Sequence, residues 1–552
     1  MPPDPMVDRV APAKPGADPA GGPTHAPNAP HAGVGLNAVA NVAGQFVFVI
    51  TGFVLPRLVN DRIGIERLGV WDFGWSIVAH LTLVGGGMMS AVSRDVARLS
   101  AVNDDDGLKR LVSSSLVMFT ALGAVAAAAA GIVAWYVPTL LPDLSPETVG
   151  DARAVVVLLG LGVGVRFPFH VFNGIITGHQ RYVLHNGIVS TCYLVSSVIM
   201  AAGVLGGLGV VFMALIHLLG EIAAGVMKVI YARRLCADWR IGTAYLDRET
   251  MAHVVSFGGR TLLDNVARVL LYQSNTLMVG YFLGVGPLAV YARCRSLVTA
   301  LDRIVVKIAM VFTPQASALD ARNDRAGLVA AVAQSTRYGL FVALPCVLFL
   351  VILGDRLLAV WMGDAFVAGT LLTLLAVGHL ATFAQRGTYH VLMGMGVHGA
   401  PAVARMLTAI GGCGVAAVLL GWFEGGLVAA ALGIVLPLLI TDGLILPWLA
   451  SRRLGVPVAT LLVGGWLRPL LVCLPLGLLW VACRSLVVGP VATVALAATL
   501  GMLLYFGLSW RFLCSEGLRR TLRRRLASWI NRRRGRTPPA PSCIPVGSEP
   551  KA

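Results

Sequence analysis

Residues 112–136, VSSSLVMFTALGAVAAAAAGIVAWY, carry no charged side chain over 25 positions. An α-helix rises about 1.5 Å per residue, so this stretch is long enough to cross the roughly 30 Å hydrocarbon core of a bilayer. Similar runs recur along the 552-residue chain, which is 57% hydrophobic and only 13% charged, with a mean hydropathy of +0.77. The sequence therefore predicts an all-α polytopic membrane protein.

The apolar runs predict about 14 transmembrane helices. The predicted spans are 34–57, 69–92, 112–136, 153–177, 186–206, 209–232, 257–283, 288–313, 338–360, 368–392, 402–422, 426–450, 465–486 and 489–511.

Two weak internal matches indicate that the first twelve spans are a duplicated six-helix unit. IGIERLGVW at 63–71 aligns without gaps to LGVGPLAVY at 283–291, and GVVFMAL at 209–215 aligns to GLVAAAL at 426–432. Both units enter the membrane from the same side, so the sequence predicts two parallel six-helix repeats, or lobes, plus a C-terminal helix pair.

The segments outside the spans complete the predicted organisation. We expect a disordered cytoplasmic tail, an N-terminal lobe, a cytoplasmic linker, a C-terminal lobe, an extra helix pair and a basic cytoplasmic tail. These segments are 1–32, 33–235, 236–256, 257–450, 451–511 and 512–552.

The distribution of Lys and Arg predicts the orientation of the chain. One set of alternate loops carries most of these residues, and the positive-inside rule places that set in the cytoplasm. We therefore expect a bacterial inner-membrane protein with both termini cytoplasmic. The net charge of +17 suits anionic lipid headgroups at the C-terminal tail. No nucleic-acid partner is expected, since aromatic residues do not interleave the basic ones there.

Ionisable or amide side chains inside predicted spans are the main functional signal, because each is costly in hydrocarbon unless it faces a cavity or a partner. The candidate substrate-binding residues are Arg295, Arg303, Lys307, Arg268, Arg260, Asp264, Asp302, Arg166, Arg386 and Asn41.

Two spans concentrate these candidates. Arg260, Asp264 and Arg268 are spaced i, i+4 and i+8, so that Asp264 is expected to bridge the two arginines. In the next span, Arg295 and Arg303 are predicted to hold a diphosphate, which Arg can bind bidentately. The alternative interpretation is structural: the arginines snorkel to the membrane surface, and the aspartates are counter-ions that hold helices together.

No enzymatic motif is present. The chain has no Walker A loop, no HExxH, no GxSxG and no soluble segment large enough for a catalytic domain. Its nine cysteines are scattered without a CxxC pair, so neither a disulfide framework nor a metal site is predicted. We expect a protein that is not an enzyme and uses no cofactor.

Six short motifs, in order, resemble the multidrug/oligosaccharidyl-lipid/polysaccharide (MOP) exporter superfamily, in particular its polysaccharide flippase branch. They are RLGVWDFG (67–74), SRDVAR (93–98), GHQRYVLHN (178–186), GYFLGVGPLAVYARC (280–294), FTPQASAL (312–319) and WMGDAF (361–366). The C-terminal pair resembles the fourteen-helix members.

The resemblance implies two lobes around a central cavity that opens alternately to the two sides of the membrane. It also implies a lipid-linked oligosaccharide on undecaprenyl diphosphate as substrate, destined for O-antigen, capsule or exopolysaccharide, with a polymerase and glycosyltransferases as partners. Two alternatives remain: an ion-coupled drug antiporter of the same superfamily, whose expected acidic residue in span one is missing here, or a non-transporting scaffold of a polysaccharide-synthesis complex.

Overall fold

A computed structural model describes residues 50–83, 85–236, 241–485 and 489–512, and within these ranges every regular element is a helix. The side chains of 86, 258–262 and 510–512 are not part of that description. The predicted N-terminal tail, Asn41, the side chain of Arg260 and the basic tail beyond residue 512 therefore lie outside the described residues.

The helices follow one another with short connections. The first lobe contains α1 (50–63), α2 (Ile65–Leu81), α3 (Gly85–Ala101), α4 (Asp105–Trp135), α5 (Pro146–Gly178), α6 (Tyr182–Leu205) and α7 (Val210–Leu235). The second lobe contains α8 (Arg248–Val269), α9 (Asn275–Leu283), α10 (Val285–Ala309), α11 (Phe312–Ala321), α12 (Arg325–Met362), α13 (Gly369–Gly378), α14 (Leu380–Gly394), α15 (Gly399–Gly421), α16 (Gly426–Leu438) and α17 (Leu446–Leu454). The C-terminal pair is α18 (Val458–Ser485) and α19 (Pro490–Phe512).

Among the described residues, nine helices are long and apolar enough to cross a membrane. Several other predicted spans are broken into shorter pieces. A π-helical turn at Leu270–Ser274 joins α8 to α9. A second, at Leu439–Ile445, joins α16 to α17 within Gly426–Leu454, which is one of the nine. The polytopic all-α class is confirmed, while the number of fourteen spans stays a prediction.

The two lobes have the same internal packing. In the first lobe, α5 is central and contacts α2, α3, α4 and α7. In the second lobe, α13 and α14 take this place and contact α10, α11, α12 and the α16–α17 segment. The helix pair α18–α19 packs outside the second lobe on α12, where the Arg337 guanidinium donates to the Gly464 carbonyl at 2.9 Å.

Local backbone geometry repeats at the offset of 220 residues seen in the sequence. Gly64 before α2 and Gly284 before α10 have φ of 96° and 84°, a conformation that favours glycine. The repeat also extends to a pair of turns that the sequence comparison missed. Asp104 and Asp324 each cap the next helix by accepting a backbone N–H at 2.8 Å, from Gly107 and Gly327 respectively. The duplication therefore fixes helix ends as well as spans.

The lobes meet where α2 crosses α10. A Cβ added to Gly69 would lie 2.0 Å from the Val285 carbonyl oxygen, so only glycine permits this close approach. Beside the crossing, Arg293 of α10 forms a buried ion pair with Asp72 of α2. A second contact joins α1 to the end of α12, where the Trp361 indole donates to the Phe53 carbonyl at 2.8 Å.

The predicted linker contributes to the start of the second lobe. α8 begins at Arg248 because Asp247 caps it, accepting backbone N–H groups from Glu249 and Thr250. Hydrogen bonds from the Thr250 hydroxyl and backbone hold the pKa of Asp247 below its usual range. From here α8 lies against α3, where His253 approaches Asp95 to 3.3 Å. The loop that follows α3 and the loop that precedes α8 are therefore at the same end of the molecule.

We expect both loops to face the cytoplasm. A fusion of alkaline phosphatase within 241–247 should be inactive, because that enzyme folds only after export, whereas a green fluorescent protein fusion at the same position should fluoresce. The loop at 422–425 lies on the opposite side in the predicted topology and serves as the control, with the reverse pattern. Phosphatase activity from the 241–247 fusion would contradict the orientation.

Candidate substrate cavity in the first lobe

A cavity of about 530 Å³ opens inside the first lobe, lined by side chains from α1, α2, α3, α5, α6 and α7. Its polar lining includes Arg166, His170, Asn173, His185, Tyr193, His217, Glu221 and Lys228, and its aromatic lining includes Trp71 and Trp75. Among the predicted candidates whose side chains the structure describes, Arg166 lines this cavity.

The charged groups of the cavity are incompletely neutralised. Arg166 lies 3.7 Å from Glu221, and His217 lies 4.0 Å from the same carboxylate. Lys228 is only 5% exposed, and no carboxylate among the described residues lies within ion-pairing distance of it. With neutral histidines, two cations therefore share one anion. A buried ammonium without a close partner is costly, which makes it a functional signal rather than a packing element.

Two histidines add to this basic end of the cavity. His170 and His185 each have a buried Nδ1 without a hydrogen-bond partner among the described residues. Both rings are close enough to Lys228 for its charge to act on them. Lys228, His170 and His185 therefore line the same end of the cavity, where the Lys228 ammonium supplies N–H donors and positive charge. That arrangement suits a phosphate or diphosphate, which requires several donors at once.

Lys228 was missed at the sequence level, although a signal was present. His217, Glu221 and Lys228 are separated by four and seven positions on α7, so at 100° per residue they fall within about 40° of one another. None of the three is among the substrate-binding candidates named from the sequence. Lys228 lies near the predicted end of that span, where basic residues ordinarily reach the interface.

In the second lobe, the predicted bridge from Asp264 to Arg268 is wrong. Arg268 is exposed and donates to the Asn265 side chain at 2.8 Å. Asp264 instead accepts a hydrogen bond at 2.6 Å from Arg405 of α15, whose other terminal nitrogen lies 3.6 Å from Asp442. The physical reason is burial: Arg405 is 9% exposed and needs a carboxylate, whereas Arg268 can be hydrated or reach headgroups.

Asp302 and Arg386 are likewise paired with each other. The Arg386 guanidinium donates both Nε and Nη2 to the two carboxylate oxygens of Asp302, at 2.8 and 2.7 Å. A bidentate pair of this kind satisfies both groups and leaves little charge for a ligand. Asp264, Asp302 and Asp442 are therefore each matched by an arginine, whereas Lys228 in the first-lobe cavity has no close carboxylate among the described residues.

The candidate residues Arg295, Arg303 and Lys307 of α10 lie in two different environments. Arg303 and Lys307 are exposed, while Arg295 lies beside the Asp72–Arg293 pair with its Nε buried and unbonded. Helical periodicity placed these residues on one face, but α2 covers only the first part of that face. Neither Arg303 nor Lys307 is among the residues that line the first-lobe cavity.

Residues 150–369, which run from α5 to the start of α13, match the polysaccharide biosynthesis protein family. No curated protein matches the sequence significantly.

Solved structures match the fold over most of the chain. One is a multidrug resistance MATE family transporter of the MOP superfamily in an inward-facing conformation, with TM-score 0.63, 17% identity, and coverage of 74% of this chain and 94% of that one. Another is the lipid II flippase MurJ in an inward closed conformation, with TM-score 0.65, 13% identity, and coverage of 91% and 100%. A third is a MOP superfamily transporter from Pyrococcus furiosus, with TM-score 0.55, 18% identity, and coverage of 77% and 96%.

The chain is therefore a multi-pass membrane protein. Its fold is the one seen in these MOP superfamily structures, as the sequence motifs predicted.

Proposed function

We propose that the protein is a flippase that moves a lipid-linked oligosaccharide, carried on undecaprenyl diphosphate, across the bacterial cytoplasmic membrane for surface polysaccharide synthesis. Three findings support this: the MOP fold, the polysaccharide biosynthesis match over 150–369, and the first-lobe cavity. The observation that carries the proposal is the buried Lys228 without a close counter-ion, because an anionic headgroup would complete its charge balance.

The physical problem of flipping explains the cavity. A sugar chain has many hydroxyls, and each unsatisfied polar group costs several kcal/mol in hydrocarbon. A polar, water-filled cavity within a lobe removes most of this barrier, while the prenyl chain stays in the surrounding lipid. The lobes contact each other along α2 and α10 and also along α3 and α8, and rocking of the lobes that opens these contacts in turn would supply alternating access.

Two other functions fit the cavity less well. A cationic drug would be repelled by Arg166 and Lys228, which exceed the single carboxylate Glu221 in the described lining. A scaffold would gain nothing from a buried ammonium, since a neutral side chain of similar size would hold the helices at lower cost. An ethidium-resistance assay in cells that express the protein distinguishes the drug antiporter, which alone predicts increased resistance.

The decisive test is the charge of Lys228. The Lys228→Gln variant should lower flipping by roughly tenfold, because a charge-assisted hydrogen bond to the diphosphate is lost. Its membrane level should be unchanged, because the neutral side chain is less costly to bury. The matched control is Lys109→Gln, which removes a charge outside the cavity lining that pairs with Asp106, and it should flip normally.

The measurement is the lipid-linked oligosaccharide that accumulates on the cytoplasmic leaflet of a complemented deletion strain, normalised to the amount of transporter. Equal flipping by the Lys228→Gln and Lys109→Gln variants would remove the support that the cavity gives to the proposal.

A further inference from the structure

The first-lobe cavity has a second, chemically different end. Trp71 and Trp75 lie one turn apart on α2, and their rings make an edge contact with centroids 6.0 Å apart. On its other side Trp75 contacts the His217 ring at 5.0 Å. Glu221 follows within 4.0 Å of that imidazole. Two indole rings, a carboxylate and an imidazole therefore lie side by side in the wall of the first-lobe cavity.

The two ends are well separated along α7. His217 marks the aromatic end and Lys228 the basic end, and at 1.5 Å per residue the eleven intervening steps correspond to about 16 Å. Lys228 and His185 lie toward the end of the lobe where α7 ends and α8 begins. Trp71 lies near the start of α2, toward the opposite end, where α2 meets α10. The cavity is therefore polarised along the helix axes.

We propose that the aromatic end is a sugar subsite, in which Trp75 and Trp71 pack against the apolar faces of the sugar rings while His217 and Glu221 bind their hydroxyls. The diphosphate then stays at Lys228, beside His170 and His185. This assignment rests on the proposed function and adds the orientation of the substrate. The diphosphate lies toward the end where α7 ends and α8 begins, and the glycan lies toward the contact between α2 and α10.

The chemistry of each end supports this order. A pyranose ring has a C–H face that matches an aromatic ring and a rim of hydroxyls that needs donors and acceptors, which is the composition found around Trp75. The Glu221 carboxylate is a poor neighbour for a phosphate but a good acceptor for a hydroxyl. The spacing of about 16 Å exceeds the length of a diphosphate, so the groups that follow it reach the tryptophans.

The test compares two lipids that differ only in the glycan. The full-length protein, purified in detergent, is titrated by native mass spectrometry with undecaprenyl diphosphate and with the lipid-linked oligosaccharide extracted from cells lacking the transporter. The Trp75→Leu variant should bind undecaprenyl diphosphate as the wild type does. It should bind the lipid-linked oligosaccharide roughly fivefold more weakly or worse, and Trp75→Phe should recover part of the loss.

Two control variants separate the ends. Lys228→Gln should weaken both lipids, and Trp422→Leu, at a residue that is 82% exposed, should change neither. If Trp75→Leu leaves the ratio of the two affinities at its wild-type value, the sugar subsite is wrong while the flippase proposal stands. If the wild type binds neither lipid, both are wrong.

Discussion

The Asp72→Leu variant is expected to lose about 3–5 kcal/mol of stability, the cost of leaving one member of a buried ion pair alone. Arg293 is 6% exposed and pairs with the Asp72 carboxylate across the contact between the lobes. Arg295 also lies close enough to act on the Asp72 carboxylate. Removing that carboxylate therefore leaves two guanidinium groups near each other without an anion. The protein should therefore unfold at a markedly lower temperature or reach the membrane in reduced amount.

The matched control is Asp61→Leu, which breaks the pair of Asp61 with Arg57 at 2.7 Å. Both of these side chains are about 40% exposed, so the change should cost only about 0.3–0.5 kcal/mol. The double variant Asp72→Leu with Arg293→Leu should recover part of the loss, since Arg293 no longer leaves an unpaired charge while Arg295 still lacks an anion. Thermal stability of a fluorescent-protein fusion in detergent measures all four proteins. A double variant as unstable as Asp72→Leu would show that the unpaired Arg293 does not cause the loss of stability.

Most of the fold was predictable because hydropathy and repetition report it directly. The lipid solvent forces helices, and the match of IGIERLGVW to LGVGPLAVY located the start of corresponding helices, where Gly64 and Gly284 share a left-handed backbone. The breaks at Leu270–Ser274 and Leu439–Ile445 were not predicted, because a π-helical turn leaves hydropathy unchanged.

The candidate site was less predictable because periodicity gives the face of a helix but not its neighbour. Arg295 and Arg303 share a face of α10, yet α2 covers the first and leaves the second exposed. Arg405 was overlooked for a related reason: it lies in the first turns of α15, where a basic residue ordinarily reaches the interface. Its two acidic partners come from helices distant in sequence, and only the tertiary structure brings them together.

That arrangement predicts a sharp contrast between two arginines. The Arg405→Leu variant should lose about 3–5 kcal/mol of stability, because the buried Asp442 and its neighbour Asp264 both lose the guanidinium between them. The Arg268→Leu variant makes the same change on α8 and should cost less than about 0.5 kcal/mol, since Arg268 is exposed and only donates to Asn265.

Two double variants show whether Asp264 pairs with Arg405 or with Arg268. Adding Asp264→Leu to Arg405→Leu should recover part of the loss, and the remainder should persist because Asp442 stays buried with only the Thr382 hydroxyl donating to it, at 2.7 Å. Adding Asp264→Leu to Arg268→Leu should instead lower stability further, since it leaves the Arg405 guanidinium with a single, more distant carboxylate. Thermal stability at matched expression gives the four values. Rescue of Arg268→Leu by Asp264→Leu would mean that Asp264 pairs with Arg268 in the folded protein after all.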